Sequence, residues 1–138
     1  MAGWTCPDCK RRFRRATQAH ECAPAMSLEE YFSTGPRHER PVCEAVLEYV
    51  ESMGEVHVEP LSVGIFLKKA QTFAQLRPMQ KWVSLTFALT RRVVHPTITR
   101  KVVPYSGRYY HVFNLRTPDD FDDRIRAWLA ESYLDSPD

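Results

Sequence analysis

Between Leu61 and Arg116 the chain has no aspartate and no glutamate. That gap removes the paired carboxylates that hydrolases use for general acid–base work from the stretch richest in strand pattern. The chain also lacks a phosphate-binding glycine loop, a nucleophile motif and a second cluster of metal-type residues. No apolar run approaches the roughly 18–20 residues a membrane helix needs, so no membrane partner is expected. The opening residues MAGWTCPDCKRR lack the apolar core of a secretory signal, which points to a cytoplasmic protein.

Cations fill the acid-free stretch: Lys68, Lys69, Arg77, Lys81, Arg91, Arg92, Arg100, Lys101, Arg108 and Arg116. The formal net charge is only +2 because residues 23–60 and 117–138 are strongly acidic. Charge segregated in this way bears on partners rather than on fold. Hydrophobic residues make up 43% and charged residues 26% of 138 residues, as expected of one folded domain with a small appendage.

The appendage is CPDCKRRFRRATQAHEC. Cys6 and Cys9 form a C-x2-C pair, and His20 and Cys22 follow after ten intervening residues. Three thiols and an imidazole in two close pairs suit a tetrahedral zinc ion, and four protein ligands close its shell, so the ion is structural. About 20 residues cannot bury enough apolar surface to fold alone, whereas structural zinc contributes on the order of 10–16 kcal/mol of apparent binding energy. Pro7 presets a turn between the first two ligands, and Phe13 is placed as the core aromatic. The position after Cys9, often glycine in such turns, is Lys10. The segment resembles a shortened C2H2-type finger ending in cysteine, but its spacing leaves little room for a recognition helix. A redox role for Cys6 and Cys9 is the alternative, yet no strand–helix–strand unit surrounds them. The fourth cysteine, Cys43, falls on the apolar side of a helix and reads as core.

Lys10, Arg11, Arg12, Arg14 and Arg15 lie between the ligand pairs. Cations on a metal-fixed loop suit phosphate contacts; the alternatives are a solvated loop or ion pairs with the acidic helices. The expected organisation is a zinc module and linker over residues 1–25, then a domain over 26–138. Ser27 to Glu30 is a capping box opening a short helix. A longer helix covers Glu39 to Met53, with Val42, Val46, Tyr49, Val50 and Met53 on one face. Period-two alternation then predicts strands near Val56–Glu59, Gly64–Lys68, Thr72–Arg77, Trp82–Leu89, Thr97–Val103 and Tyr109–Leu115. A closing helix starts with Thr117 as cap and Pro118 at its first position. The expected fold is α+β: an antiparallel sheet of five or six strands with helices on one face.

If helices cover one face, the other is open and basic, with the ten cations around Trp82, Tyr109 and Tyr110. Interleaved cations and aromatics suit single-stranded nucleic acid or a phosphorylated ligand. Neutralisation between basic strands and acidic helices is the alternative.

The segments FLKKAQTFAQLRPMQKWVSLTFAL, HPTITRKVVPYSGRYYHVFNL and AWLAESY resemble the small bacterial proteins grouped as domain of unknown function 5655, over about residues 27–134. Proteins of this type can carry a CPxC…HxC clip in front, with an arginine-rich spacer. The resemblance implies the same α+β layout and no assigned activity. It marks Phe66, Lys68, Phe73, Pro78, Lys81, His95, Ser106, Arg108, Tyr110 and His111 as motif positions. The expected function is a zinc-stabilised, non-enzymatic protein that binds nucleic acid or another polyanion. Its contacts are expected at Lys10, Arg11, Arg12, Arg14 and Arg15, and at Lys68, Lys81, Trp82, Arg108, Tyr110 and His111. Two other readings are a protein-interaction adaptor that uses Trp4, Trp82 or a sheet edge, and a small enzyme that uses His95 or His111.

Overall fold

The computed structural model describes residues 3–20, 22 and 24–136. Two short strands, β1 (Trp4–Thr5) and β2 (Arg12–Phe13), pair antiparallel around the first cysteines. Two helices follow, α1 (Leu28–Ser33) and α2 (Glu39–Met53). The remaining strands are β3 (His57–Leu61), β4 (Gly64–Lys68), β5 (Thr72–Pro78), β6 (Val83–Leu89), β7 (Val103–Tyr105) and β8 (Arg108–Leu115). They form one antiparallel sheet in the order β3-β4-β5-β6-β8-β7. The chain closes with α3 (Asp123–Asp135), giving the α+β fold read from the alternation.

Register shows how the two faces differ. Ile65, Leu76, Leu85 and Phe113 lie in one row across β4, β5, β6 and β8, and Leu67, Ala74, Phe87 and His111 lie in the next. Strand side chains alternate faces, so both rows point the same way. Apart from His111, which is itself fully buried, they form one cluster with Val42, Val46 and Val50 of α2 and with Ile125 and Leu129 of α3. Cys43 is fully buried in that cluster, and burial pushes its thiol far up, as befits a core residue. The intervening row of Phe66, Gln75, Thr86 and Val112 faces the opposite way and is half-buried.

Two expected elements differ. The run Thr97–Val103 is not a strand: a turn at Pro96 (Ile98 N–H to His95 carbonyl, 3.0 Å) redirects it, and pairing begins only at Val103. The closing helix is broken. Thr117 caps a single 3-10 turn over Pro118–Asp120, Phe121 turns into the core, and Asp122 caps α3 by accepting from the Ile125 amide at 3.0 Å.

Asp122 also holds His95. His95 Nδ1 accepts the Thr97 amide at 3.1 Å, so Nε2 carries a proton and donates to Asp122 Oδ2 at 2.8 Å. Burial opposes ionisation of Asp122, but the Ile125 amide and His95 hold its carboxyl below the usual carboxylate range. Asp122→Ala is expected to lower stability by about 1–2 kcal/mol, through the cap and the lost His95 partner. Asp122→Asn, which keeps an acceptor, should lose less; denaturant unfolding checks both.

Candidate metal centre and the basic cleft beside it

The first turn of the clip is held by backbone bonds on both sides of the C-x2-C pair. Cys6 N–H donates to the Arg11 carbonyl, and Lys10 N–H donates to the Cys6 carbonyl, each at 2.9 Å. Lys10 takes the left-handed conformation (φ 65°) that glycine often supplies there, so the turn forms at some backbone cost. Residues 14–17 form bends and turns instead of a helix. Phe13 is buried, stacks on the His20 ring at 4.0 Å between centroids, and lies near Trp4. That aromatic group is the clip's own core, as Phe13's position suggested.

The four donor atoms of Cys6, Cys9, His20 and Cys22 lie within 4.8 Å of one another. Cys6 and Cys22 sulfurs are 3.7 Å apart, and Cys9 Sγ is 3.5 Å from His20 Nε2. Tetrahedral ligation with bonds of about 2.0–2.3 Å requires ligand separations of about 3.5–3.8 Å. The donor set therefore fits a metal ion. His20 Nδ1 donates to the Gln18 carbonyl at 2.6 Å, which fixes the ring and leaves Nε2 as the ligand atom. The Cys9 amide pulls the Cys6 thiol down to about 6, while the hydrogen bond with Cys6 pushes Cys22 up to about 11.

The clip docks on the sheet face away from the helices, and its anchor is Glu59 of β3. Glu59 is fully buried and accepts from the Arg12 amide at 2.7 Å, Arg11 Nε at 3.1 Å and Lys68 Nζ at 2.9 Å. His57 Nε2 lies 2.9 Å from the same carboxylate. Burial disfavours the charged form, but the Arg12 amide, Lys68 and Arg11 together hold the carboxyl below its ordinary value. Lys68 also donates to the Arg12 carbonyl and sits over the Phe13 ring at 4.5 Å. A β-carbon on Gly3 would come within 2.4 Å of the Phe13 carbonyl oxygen and 2.5 Å of Ala70's, so the clip's first strand approaches as closely as glycine allows.

Between the docked clip and the sheet lies an open cleft of about 830 Å³. Among the described residues its lining carries five cations, Arg12, Arg14, Arg15, Lys68 and Arg108, and no carboxylate. Phe13, Tyr105 and Tyr110 add aromatic surface, with Gln18, Gln71, Thr72 and Ser106 between. Lys68 is neutralised by Glu59, and Arg108 pairs with Asp135 at 2.8 Å. Arg14 and Arg15 are exposed and have no carboxylate partner among the described residues.

The structure unites some of the expected contacts and separates others. Arg12, Arg14, Arg15, Lys68, Arg108 and Tyr110 meet in the cleft, whereas Lys10 and Arg11 do not line it, Arg11 being turned toward Glu59. Lys81 and Trp82 lie in the loop before β6, where Trp82 is covered by the Arg116 guanidinium at 5.5 Å. His111 faces the core, fully buried, with Nε2 accepting the Val93 amide at 3.0 Å, and burial lowers its pKa. The expectation that His111 contacts an anion is therefore corrected: its position in a row with Phe87 and Leu67 turns it inward. The ten strand cations do not share one side either. Lys69 donates to the Tyr133 and Ser136 carbonyls, and Arg91 pairs with Glu131 of α3, so the expected neutralisation by helices accounts for part of them. Neither His95 nor His111 lines the cleft.

His57 and Glu59 lie two apart on β3 and so share a strand face, but nothing near them in the sequence gives Glu59 a partner. The available signal was a carboxylate in a strand next to a stretch without any.

A six-stranded antiparallel sheet with helices on one face and a Cys3His cluster docked on the other defines an α+β protein with a metal-type appendage. The chain belongs to the family described as domain of unknown function (DUF5655), whose pattern matches residues 28–136. The Cys/His cluster lies ahead of the matched residues. No curated protein and no solved structure matches the chain. Among the described residues no helix is long and apolar enough to cross a membrane.

Proposed function

We propose that this is a zinc-stabilised, non-enzymatic binding protein whose cleft takes a polyanion, nucleic acid or another phosphorylated ligand. The observation that carries the reading is a lining of five cations, with no acid among the described residues. Zinc is the ion proposed because three thiolates and an imidazole at tetrahedral separations match its preferred donors. Cys6, Cys9, His20 and Cys22 would hold it. Its contribution is to fold the loop that presents Arg12, Arg14 and Arg15; the polar contacts with the anion belong to the side chains.

Three cations without a carboxylate partner in the cleft imply a slope of log affinity against log salt of about −2 for a single-stranded polyanion. Arg14→Glu with Arg15→Glu should flatten that slope toward about −0.7, while Arg91→Glu on the helix side should leave it steep. Anisotropy titrations with a labelled oligonucleotide across a salt series read both. No binding at low salt would remove the proposal.

A protein-interaction adaptor is the second reading. It is favoured by the edge strand β7, where Val103 and Tyr105 are exposed. A stoichiometric protein partner retained after nuclease treatment would support it.

A further inference from the structure

The rings in the cleft say more about the ligand than the cations do. Tyr105 is 70% exposed and Tyr110 39% exposed, and their ring centroids lie 6.4 Å apart. Arg108 and Val103 are their cross-strand partners, so the tyrosines share the sheet face that the clip leaves open. Adjacent rings open to water, unlike singly scattered apolar side chains, mark a candidate contact surface. A bare phosphate gains little from a flat ring, whereas an unpaired base stacks on one with little regard to its identity.

The face also continues past the cleft. A notch bounded by Thr72, Tyr110, Gln75 and Thr86 leads to a second basin of about 390 Å³ that holds Arg77 and Arg100. Gln75 and Thr86 line both the notch and the basin, so the two adjoin; these shared residues carry no charge, and Phe73, Ala74, Phe87 and Ala88 also line the notch. Thr72 and Arg77 are five residues apart on β5, about 17 Å. Cations at both ends, rings at one end and a neutral floor between fit a linear ligand several units long. They fit a compact phosphorylated metabolite poorly.

We infer that the ligand is a single-stranded nucleic acid, its bases stacked on Tyr110 and Tyr105 and its backbone running from Arg14 and Arg15 toward Arg77 and Arg100. The inference rests on the polyanion reading of the same cleft and adds the ligand's class. A duplex keeps its bases stacked on each other and offers these rings no face.

The test uses the zinc-loaded full chain and three labelled probes of matched length: a single-stranded oligonucleotide, its duplex, and linear polyphosphate. The single strand should bind at least about tenfold more tightly than the duplex. Tyr110→Ala should weaken the single strand about tenfold, and polyphosphate far less, while Tyr110→Phe, which keeps the ring, should lose much less than Tyr110→Ala. Tyr105→Ala, at a site open enough to leave folding untouched, should act in the same direction. Equal binding of duplex and single strand, or equal losses for the oligonucleotide and polyphosphate in the alanine variants, would overturn the inference and leave the polyanion reading standing. Failure of all three probes to bind would overturn both.

Discussion

Stripping the metal is expected to release residues 3–22 from the sheet and to leave residues 27–136 folded. The clip's buried apolar groups are Cys6, Cys9 and Phe13, with Trp4 half-covered, and so small a cluster cannot offset the ordering of some 20 residues. A structural zinc ion, with an apparent contribution on the order of 10–16 kcal/mol, would close that gap. The main core draws its residues from α1, α2, α3 and the six-stranded sheet, and includes none from the clip. Hydrogen exchange is the direct readout. On chelation the Cys6 and Lys10 amides, both bonded at 2.9 Å, should lose protection entirely, while amides of β6 and β8 keep theirs. Cys22→Ser should reproduce the effect without a chelator. Unfolding of the whole chain on chelation would show that clip and sheet form one cooperative unit, against the division into a module over residues 1–25 and a domain over 26–138.

Glu59→Ala is expected to cost about 3–5 kcal/mol, the largest loss from a single substitution on the open face. The cost comes from what the change leaves behind. Lys68 is 3% exposed and would keep its charge without a counterion, and Arg11 would lose the carboxylate it reaches at 3.1 Å. The Arg12 amide would lose its 2.7 Å acceptor as well. Glu59→Gln, which keeps an acceptor oxygen, should cost less. Pairing Glu59→Leu with Lys68→Met should recover a large part of the loss, because removing both buried charges avoids the unpaired state. Denaturant unfolding of the three variants measures this. Metal affinity should fall in parallel in Glu59→Ala, since a clip that docks less well gives up part of the free energy that supports ligation. If Glu59→Ala melts like the parent protein, the clip is not anchored where these distances put it.

Local pattern carried the fold a long way. The alternation of Val83, Leu85, Phe87 and Leu89 places a central strand because a half-buried sheet requires it, and the capping box at Ser27 and Glu30 sets the start of α1. The cysteine and histidine spacing carried the metal cluster for the same reason: four ligands supplied by two short segments leave a local signature. Contacts between distant parts of the chain left no such trace. Glu59 meets Arg11 and Arg12 across 48 and 47 residues, and no periodicity encodes that meeting. The break before α3 has no local signature, because Thr117 and Asp122 are both good caps; burial of Phe121 decides between one helix and two elements. Side chains with two plausible faces, such as His111, depend on register, which the flanking turns set and composition does not.

The most direct measurement is a zinc titration of metal-free protein, with anisotropy of a labelled single-stranded oligonucleotide read at each step. The expected result is binding that rises with added zinc and levels off at one ion per chain. Equal affinity before and after zinc would contradict the claim that a ligated ion holds the cationic loop in its binding shape.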